Sequence, residues 1–318
     1  MGGARDRRHP VTSGNVAGIL TGWIYDVIAC PQAACAGRLR GPAGRGAGVA
    51  RCGRCGSLYP VLAGIPVAVP APAHWVAAHR DGVLAALAEH GAATRAAVAV
   101  VREFAAAAPD AEPVRFGDDW LDAAGATPPG AVGAALASLA GLPGPDAALD
   151  DAVPGRLGTV LDLGAGAGDL AARLRRRAAR VVVADLSLRA VLRARKRAGG
   201  GAAVAGAVVD ADQLGLARGR LDAAFAANLI DLIDAPEALL EALAHGVRRG
   251  GRVALSTPQP GLGDPDDDPE ALRAALGRAG FRIDGERDGV PWLRAHRARY
   301  VQVYTCWVVA ATKGSRRR

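Results

Sequence analysis

A glycine-rich turn that follows an apolar run is the first feature of this sequence whose residue types indicate chemistry. The turn contains three glycines at alternate positions: Gly164, Gly166 and Gly168. Glycines let a backbone turn tightly and approach a ligand closely. A dinucleotide-binding fingerprint that begins at Gly164 requires a small residue five positions later, where Asp169 stands. A later register over residues 166–171 fits the looser form, so nicotinamide dinucleotide binding is disfavoured but stays open.

Acidic residues stand at the predicted ends of three successive strands: Asp162, Asp185 and Asp210. A carboxylate at the position of Asp185 can accept hydrogen bonds from both hydroxyls of a ribose. Alternatively, Asp185 or Ser187 caps the helix that follows, and the hydroxyl of Ser187 suits this task. Three acidic strand ends together are harder to explain as solvent-exposed charge than any one of them alone. They therefore indicate a ligand site at one edge of a sheet.

Residues 160–168, in which Asp162 precedes the three glycines, resemble the signature of class I S-adenosylmethionine-dependent methyltransferases. The resemblance implies that Asp162 lies near the methionyl ammonium of the cofactor and that the glycines lie under its methionyl and ribose groups. The turn that begins at Asp210, with Asp212 and Leu214, resembles the adenine-binding turn of the same family, in which Asp210 meets the exocyclic amine. The expected cofactor is therefore S-adenosyl-L-methionine, and the expected reaction is methyl transfer.

The segment after the fourth predicted strand supplies the candidate catalytic residues, Asn228 and Asp231. It corresponds to the substrate-facing position of the family, at the sheet edge where acceptor and cofactor meet. Either side chain can orient an acceptor or take its proton, and Asp231 can equally bond to a backbone turn. The Pro-Pro-aromatic continuation of enzymes that methylate DNA amines or glutamine is absent, which disfavours those substrates. Trp292, near the last two predicted strands, is a further candidate for the acceptor pocket.

Four cysteines cluster near the N-terminus as two pairs: Cys30 with Cys35, and Cys52 with Cys55. The pairs have the spacings C-x4-C and C-x2-C, with sixteen residues between them, and two such knuckles can supply the four thiolates of a tetrahedral zinc site. Four protein ligands leave no open position, so the expected Zn²⁺ is structural. Disulfides are the competing interpretation, which a cytoplasmic location disfavours. Cys306 lies far away in an apolar run and is expected to be a small core residue.

Motifs around the cysteine pairs resemble those of a family of zinc-binding proteins, the activator subunits of tRNA methyltransferases. The similar stretches are Cys30-Pro31, Cys52 to Gly56, Tyr59-Pro60 and Gly64 to Pro66. The first cysteine pair departs from the family pattern by two additional residues between its cysteines. The resemblance implies a module that serves methyltransferases as a partner.

Alternating strands and helices after residue 155 predict a doubly wound, Rossmann-like α/β fold with a mostly parallel sheet. Strands are predicted at residues 159–163, 180–184, 204–209, 221–226 and 252–256, and helices at 169–178, 188–198, from Pro236, and from Asp268 as N-cap to Gly280. Two last strands, at 281–286 and 301–312, form an antiparallel C-terminal edge. Three parts are therefore predicted: a zinc-ribbon-like module with a disordered N-terminal tail (1–70), a helical connector or lid with a further short helix at 131–142 (71–155), and a methyltransferase domain (156–318).

The 318-residue chain carries a formal net charge of +8. This charge makes RNA contact an open interpretation, although arginines on solvated helix faces explain it equally well. No apolar run reaches the ~20 residues of a membrane span, and no run of secretory type follows the N-terminus, so a cytoplasmic protein without membrane contact is expected. The acceptor can be a small molecule, a protein or RNA.

Two other functions stay open. Large-subunit rRNA guanine methyltransferases also place a cysteine-rich zinc module before this catalytic fold, and a basic chain suits an RNA acceptor. The second is a non-catalytic adaptor that uses its Rossmann-like half as a scaffold. Loss of Asp162 or Asp185 would favour the adaptor, and both residues are present.

Overall fold

The computed structural model describes residues 22–33, 35–42, 46–112, 144–261, 269–297 and 300–314, and only the backbone at 293–297, 300 and 301. The predicted N-terminal tail lies outside these ranges. So do the helix predicted at 131–142 and the predicted N-cap Asp268.

The N-terminal segment begins with a short 3-10 helix, Gly22–Asp26, and continues as four antiparallel strands. The strands are β1 (Leu39–Arg40), β2 (Gly48–Cys52), β3 (Leu58–Leu62) and β4 (Ile65–Ala68). The turn between β3 and β4 places Ala63 and Gly64 at φ values of +52° and +75°. The β-branched segment 59–70, with Gly64 and Pro66, predicts two short strands joined by a turn. Both strands are confirmed, and a glycine stands where the turn requires left-handed backbone.

Three helices follow in the segment predicted as the connector: α1 (Pro72–Ala78), α2 (Arg80–Glu89) and α3 (Arg95–Ala106). The alanine-rich sequence from residue 74 to residue 108 predicts helix with a break around Gly91. This break is confirmed, since Gly91 lies between α2 and α3 with a φ of +65°. The hydroxyl of Thr94 caps α3 by accepting the backbone N–H of Ala97 at 3.1 Å. The sequence did not predict the second break, at His79, where α1 and α2 form an elbow.

A parallel sheet forms the centre of the C-terminal half, as alternating strands and helices predict. Its strands are β5 (Leu157–Leu163), β6 (Ala178–Asp185), β7 (Val204–Val209), β8 (Leu221–Ala227) and β9 (Val247–Thr257). They lie in the order β7-β6-β5-β8-β9, so the direction of winding reverses between β5 and β8. Ligands of such sheets bind outside the carboxyl ends of the strands at this switch point.

Helices cover both faces of the sheet. They are α4 (Pro145–Ala152), α5 (Asp169–Leu174), α6 (Leu188–Arg197), α7 (Pro236–Gly246) and α8 (Glu270–Arg278). One apolar core includes residues of α1 to α6, and the other includes residues of α7 and α8. Helix α5 is four residues shorter than predicted, because residues 175–177 form a turn and β6 begins at Ala178. None of the helices within the described ranges is both long and apolar enough to cross a bilayer.

The last two strands form the predicted antiparallel edge. β10 (Phe281–Arg297) pairs with β11 (Tyr300–Lys313), and β11 pairs antiparallel with β9 from Trp307 to Thr312. β10 is longer than predicted, since its pairing with β11 continues through register shifts beyond Arg287. The hairpin therefore extends past the carboxyl end of β9, which is the side on which an acceptor is expected.

The N-terminal strands join the central sheet directly. β4 pairs in parallel with β7, with Val67 opposite Val208 and Ala68 opposite Val209. The result is one sheet of eleven strands in the order β1-β2-β3-β4-β7-β6-β5-β8-β9-β11-β10. The sequence did not predict this pairing. The division of the chain at residues 70 and 155 stays a prediction. The strands of the first predicted part (1–70) extend the sheet of the third (156–318).

Candidate cofactor site and cysteine cluster

The glycine turn between β5 and α5 has the left-handed backbone for which glycine is suited. The φ values of Gly164, Gly166 and Gly168 are +69°, +50° and +84°. Space is also restricted, because a Cβ at Gly168 would lie 2.5 Å from the Cα of Ala194 on α6. Gly168 is therefore needed both for the turn and for the packing of α6 beside it.

Asp185, at the end of β6, holds the glycine turn in place. Its Oδ2 accepts the backbone N–H of Gly166 at 3.0 Å, and its Oδ1 accepts that of Ser187 at 2.9 Å. The hydroxyl of Ser187 in turn accepts the N–H of Ala190 at 3.2 Å and caps α6. The helix cap is thus Ser187. Since a carboxylate offers about four acceptor positions, Asp185 can hold the turn and also accept ligand hydroxyls.

Asp162 lies inside β5, directly before the turn, and is 1% exposed. Its carboxyl has a hydrogen bond from the backbone of Ala171, but its Oδ2 has no partner among the described atoms. Burial, followed by the negative charge of Asp146, raises the pKa of Asp162 well above its ordinary value. An unpaired buried charge is costly, so a cation at this position would be strongly favoured.

Asp146, in the first turn of α4, is an acidic residue at this site that the sequence analysis missed. Burial and the neighbouring charge of Asp169 raise the pKa of Asp146 to about 6. The segment around Pro145 looks like a linker in the sequence. Gly144 followed by Pro145 is also a typical helix start, with an acidic residue in the first turn, and this signal could have identified it. The site thus combines the buried carboxyl of Asp162 with the half-buried carboxyl of Asp146, and both disfavour ionisation without a cation.

Asp210 lies at the end of β7 and begins the 3-10 helix Ala211–Gln213. Its Oδ1 accepts the backbone N–H of Asp212 at 3.0 Å. Asp212 in turn accepts the N–H of Ala235 at 2.7 Å, just before α7. The three predicted acidic residues therefore lie at or beside the carboxyl ends of three neighbouring strands, in the order β7-β6-β5.

Asn228, directly after β8, adopts a left-handed backbone with a φ of +50°, which asparagine tolerates better than most residues. Its backbone N–H donates to the carbonyl of Ser256 at 2.8 Å. Its Oδ1 accepts the hydroxyl of Ser256 at 2.9 Å and the thiol of Cys306 at 3.4 Å. The side chain is therefore held in one orientation at the end of β8.

Asp231 lies one turn further on and accepts the hydroxyl of Thr257 at 3.0 Å. Ser256 and Thr257, at the end of β9, are fully buried, so both candidate catalytic side chains are anchored by hydroxyls of one strand. Cys306 is also fully buried, as expected of a core residue. Burial and the charge of Asp231 raise the pKa of Cys306 to about 12, so this thiol stays protonated.

Trp292 on β10 lies opposite Tyr304 on β11, with ring centroids 5.0 Å apart. The hydroxyl of Tyr304 donates to Gln302 at 2.8 Å. Both aromatic side chains are half-buried on the part of the hairpin that extends past β9. This position is compatible with the predicted role of Trp292 in an acceptor pocket, which stays a prediction.

The four N-terminal cysteines converge on one point. Their Sγ atoms all lie within 4.8 Å of one another, and the pairs Cys30 with Cys55 and Cys35 with Cys52 are each 3.6 Å apart. Cys55 is exposed and the other three are buried. A cluster of four thiols with sulfurs this close is the arrangement that a tetrahedral metal site requires.

Residues 160–251 match a family model described as a methyltransferase domain. The match begins in β5 and ends in β9, so it includes the glycine turn and the residues Asp162, Asp185, Asp210 and Asn228. The chain therefore carries a methyltransferase domain, and the Rossmann-like sheet described above is the fold of that domain.

Two curated fungal proteins are similar in sequence. Methyltransferase nsrG of Aspergillus novofumigatus (strain IBT 16806) is 34% identical over 131 residues, which are 40% of this chain and 49% of that protein. A methyltransferase of Claviceps purpurea (strain 20.1) is 33% identical over 134 residues, 41% of this chain and 40% of that protein. The chain thus spans half or less of the length of the curated relatives it matches.

Among solved structures, one similar fold is that of N-methyltransferase NodS of Bradyrhizobium japonicum WM9, in complex with S-adenosyl-L-homocysteine. Its superposition on this chain has a TM-score of 0.44 with 15% sequence identity and covers 54% of this chain and 86% of that one.

Proposed function

We propose that this protein is an S-adenosylmethionine-dependent methyltransferase whose cofactor lies across the carboxyl ends of β5, β6 and β7. The observation that carries the proposal is the buried Asp162 carboxyl beside the glycine turn, with an oxygen that has no partner among the described atoms. The methionyl ammonium of the cofactor would supply the missing cation. Asp185 would accept the ribose hydroxyls, and Asp210 would meet the adenine amine. One ligand would then account for all three acidic strand ends.

Bound cofactor would supply a methyl group on a sulfonium, and its transfer to a nucleophile is an in-line displacement. The protein mainly contributes approach geometry and exclusion of water. Asn228 and Asp231 follow β8, which is the neighbour of β5 in the sheet. Because Ser256 and Thr257 anchor them, they would present fixed polar groups to the acceptor. The extended hairpin with Trp292 would complete the acceptor side.

We also propose that Cys30, Cys35, Cys52 and Cys55 hold one structural Zn²⁺. In a tetrahedral site with Zn–S distances near 2.3 Å, the sulfurs are separated by about 3.8 Å. The pairs at 3.6 Å are close to this separation. Four thiolates complete the coordination, so the ion would stabilise the fold around the cluster and would take no part in methyl transfer.

Calorimetric titration tests the proposed cofactor. We expect S-adenosylhomocysteine, the reaction product, to bind saturably with one molecule per chain and to raise the melting temperature, because a ligand of the folded state stabilises it by mass action. NAD should produce no heat and no shift. Saturable NAD binding without any response to S-adenosylhomocysteine would contradict the proposal.

The pKa of Asp146 predicts an opposite pH dependence for binding and for stability. Affinity for S-adenosylhomocysteine should rise close to tenfold from pH 5 to pH 7, because the ionised fraction of a group with a pKa of about 6 rises from about 0.1 to about 0.9 over this window. The pKa of Asp146 is raised in the folded state, so the stability that its protonated form contributes is lost as pH rises from about 4 to above 6. Titration calorimetry and melting curves across this range measure both effects.

Asp146→Asn should weaken both pH dependences, and the part that remains belongs to Asp162, whose pKa is also raised. Asp151→Asn is the matched control, since it removes the same charge from an exposed position on the same helix. Unchanged pH profiles in Asp146→Asn would place the titrating group elsewhere.

A further inference from the structure

A cavity of about 270 Å³ lies between the elbow of α1 and α2 and the turn that joins β6 to α6. The elbow contributes residues 77–83, the turn contributes residues 186–189, and Trp75 of α1 lines it as well. Leu186 and Ser187 directly follow Asp185, whose carboxylate accepts a backbone N–H of the glycine turn. Leu186, which lines the cavity, is thus the chain neighbour of the residue whose carboxylate is proposed to bind the ribose.

Trp75 lines this cavity with a side chain whose own hydrogen bonding is incomplete. The side chain is 4% exposed, yet its indole Nε1–H has no acceptor among the described atoms. Trp23 and Trp307, in contrast, donate their indole N–H groups to the carbonyl of Ala202 at 2.8 Å and to Glu286 at 3.3 Å. Leaving a buried donor unpaired is costly to the folded state. The position of Trp75 therefore indicates an acceptor that arrives with a ligand.

The charges around the cavity favour a neutral ligand group. Arg80 pairs with Asp81 at 3.0 Å, and Arg189 pairs with Glu89 at 3.5 Å. Because each cation that lines the cavity already has a carboxylate partner, a phosphate or carboxylate would gain little there. A purine base or a ribose is uncharged and carries ring nitrogens and oxygens that accept an N–H. The volume is slightly below the range of about 300–1,000 Å³ for ligand sites, which suits part of a cofactor.

We propose that Trp75 is a cofactor-binding residue, which donates its Nε1–H to the nucleoside half of S-adenosylmethionine. This inference rests on the proposed function and adds a residue from outside the methyltransferase domain. The ring of His79 lies 5.3 Å from the indole ring and helps to fix its orientation. The elbow of α1 and α2 then forms one wall of the nucleoside site, opposite the sheet edge.

Trp75→Phe tests the proposal, because it keeps an aromatic ring and removes the N–H donor. We expect affinities for S-adenosylhomocysteine and for the nucleoside fragment 5′-methylthioadenosine to fall by the same factor, about tenfold. The melting temperature of the ligand-free protein should stay the same or rise, because an unpaired buried donor is removed. Trp307→Phe is the matched control, since it removes a paired indole far from the cavity and should leave both affinities unchanged.

A second variant, Ala78→Leu, adds bulk at the wall of the cavity and should also weaken binding of the nucleoside fragment by about tenfold, through loss of the space that the base requires. Unchanged affinity of both cavity variants, with normal binding by the unaltered protein, would overturn the role of Trp75. An equal loss in Trp307→Phe would do the same. Absence of any binding by the unaltered protein would instead refute the proposed function itself.

Discussion

Asp185→Asn is expected to weaken binding of S-adenosylhomocysteine by more than tenfold and to lower the melting temperature of the ligand-free protein. The carboxylate accepts backbone N–H groups from both sides, one from Gly166 and one from Ser187. An amide can accept with only one of its two ends, so its NH2 group must face one of these donors. Loss of charge-assisted acceptors for the ribose hydroxyls adds about 1.5–3 kcal/mol to the cost in binding. Titration calorimetry and thermal unfolding of this variant measure the two effects.

Ser187→Ala is the control for Asp185→Asn. It removes the helix cap on Ala190, which costs about 1 kcal/mol of stability, but leaves the carboxylate and the glycine turn in place. Its melting temperature should fall while its affinity for S-adenosylhomocysteine stays within about twofold, a change of less than 0.5 kcal/mol. Ser187 also lines the cavity beside Trp75, but alanine keeps the backbone and the Cβ there, and the hydroxyl is already occupied by the N–H of Ala190. If the two variants lose affinity equally, Asp185 acts only through the position of α6, and its role in ribose binding is wrong.

The strands of the parallel sheet could be predicted because buried strands are short apolar runs separated by turn residues. Val204–Val209 is bounded by glycines before it and by Asp210 after it, and its predicted limits match the structure. The acidic residues at the carboxyl ends of the strands could also be predicted to share one edge, since parallel strands align these ends. The local sequence therefore contained most of the information about the candidate cofactor site.

Contacts between distant segments could not be predicted in this way. The four residues of β4 are all apolar, and all are buried. A short apolar run of this kind does not indicate whether the strand lies at the edge of a sheet or has a neighbour on each side. Only the fold reveals that β7 is its second neighbour. The cavity beside Trp75 likewise depends on the elbow at His79, where no glycine or proline in the sequence indicates a break. The charge of Asp146 matters because α4 packs against α5 beside the glycine turn, which no local pattern contains.

Removal of zinc is expected to weaken cofactor binding, because the N-terminal module holds the segment around Asp210 from both sides. Before Asp210, Ala68 of β4 pairs with Val209. After it, the backbone N–H of Ala29 donates to the carbonyl of Gly215 at 3.0 Å, beside the cluster residue Cys30. Space at this contact is minimal, since a Cβ on Gly215 would lie 2.5 Å from the carbonyl oxygen of Ala29. A change in the cluster would therefore reach the turn that begins at Asp210 through backbone contacts.

We expect protein purified without added metal to contain one zinc per chain, measured by elemental analysis. A chelator that removes the zinc should lower the melting temperature and reduce the affinity for S-adenosylhomocysteine by more than about tenfold, the loss expected when the Asp210 carboxylate no longer meets the adenine amine. Added Zn²⁺ should restore both. Cys55→Ser, which alters the exposed member of the cluster, should reproduce the effect of the chelator in part.

Cys306→Ala separates loss of the cluster from loss of a thiol, since Cys306 lies outside the cluster on β11. This variant should keep its zinc and its affinity for S-adenosylhomocysteine, although the lost packing lowers its melting temperature. Zinc-free protein that binds S-adenosylhomocysteine as tightly as the zinc-bound form would show that the turn at Asp210 keeps its shape without the module. Because β4 and residues 27–29 are held through the module's own fold, we expect the turn to lose its backbone partners when the cluster opens.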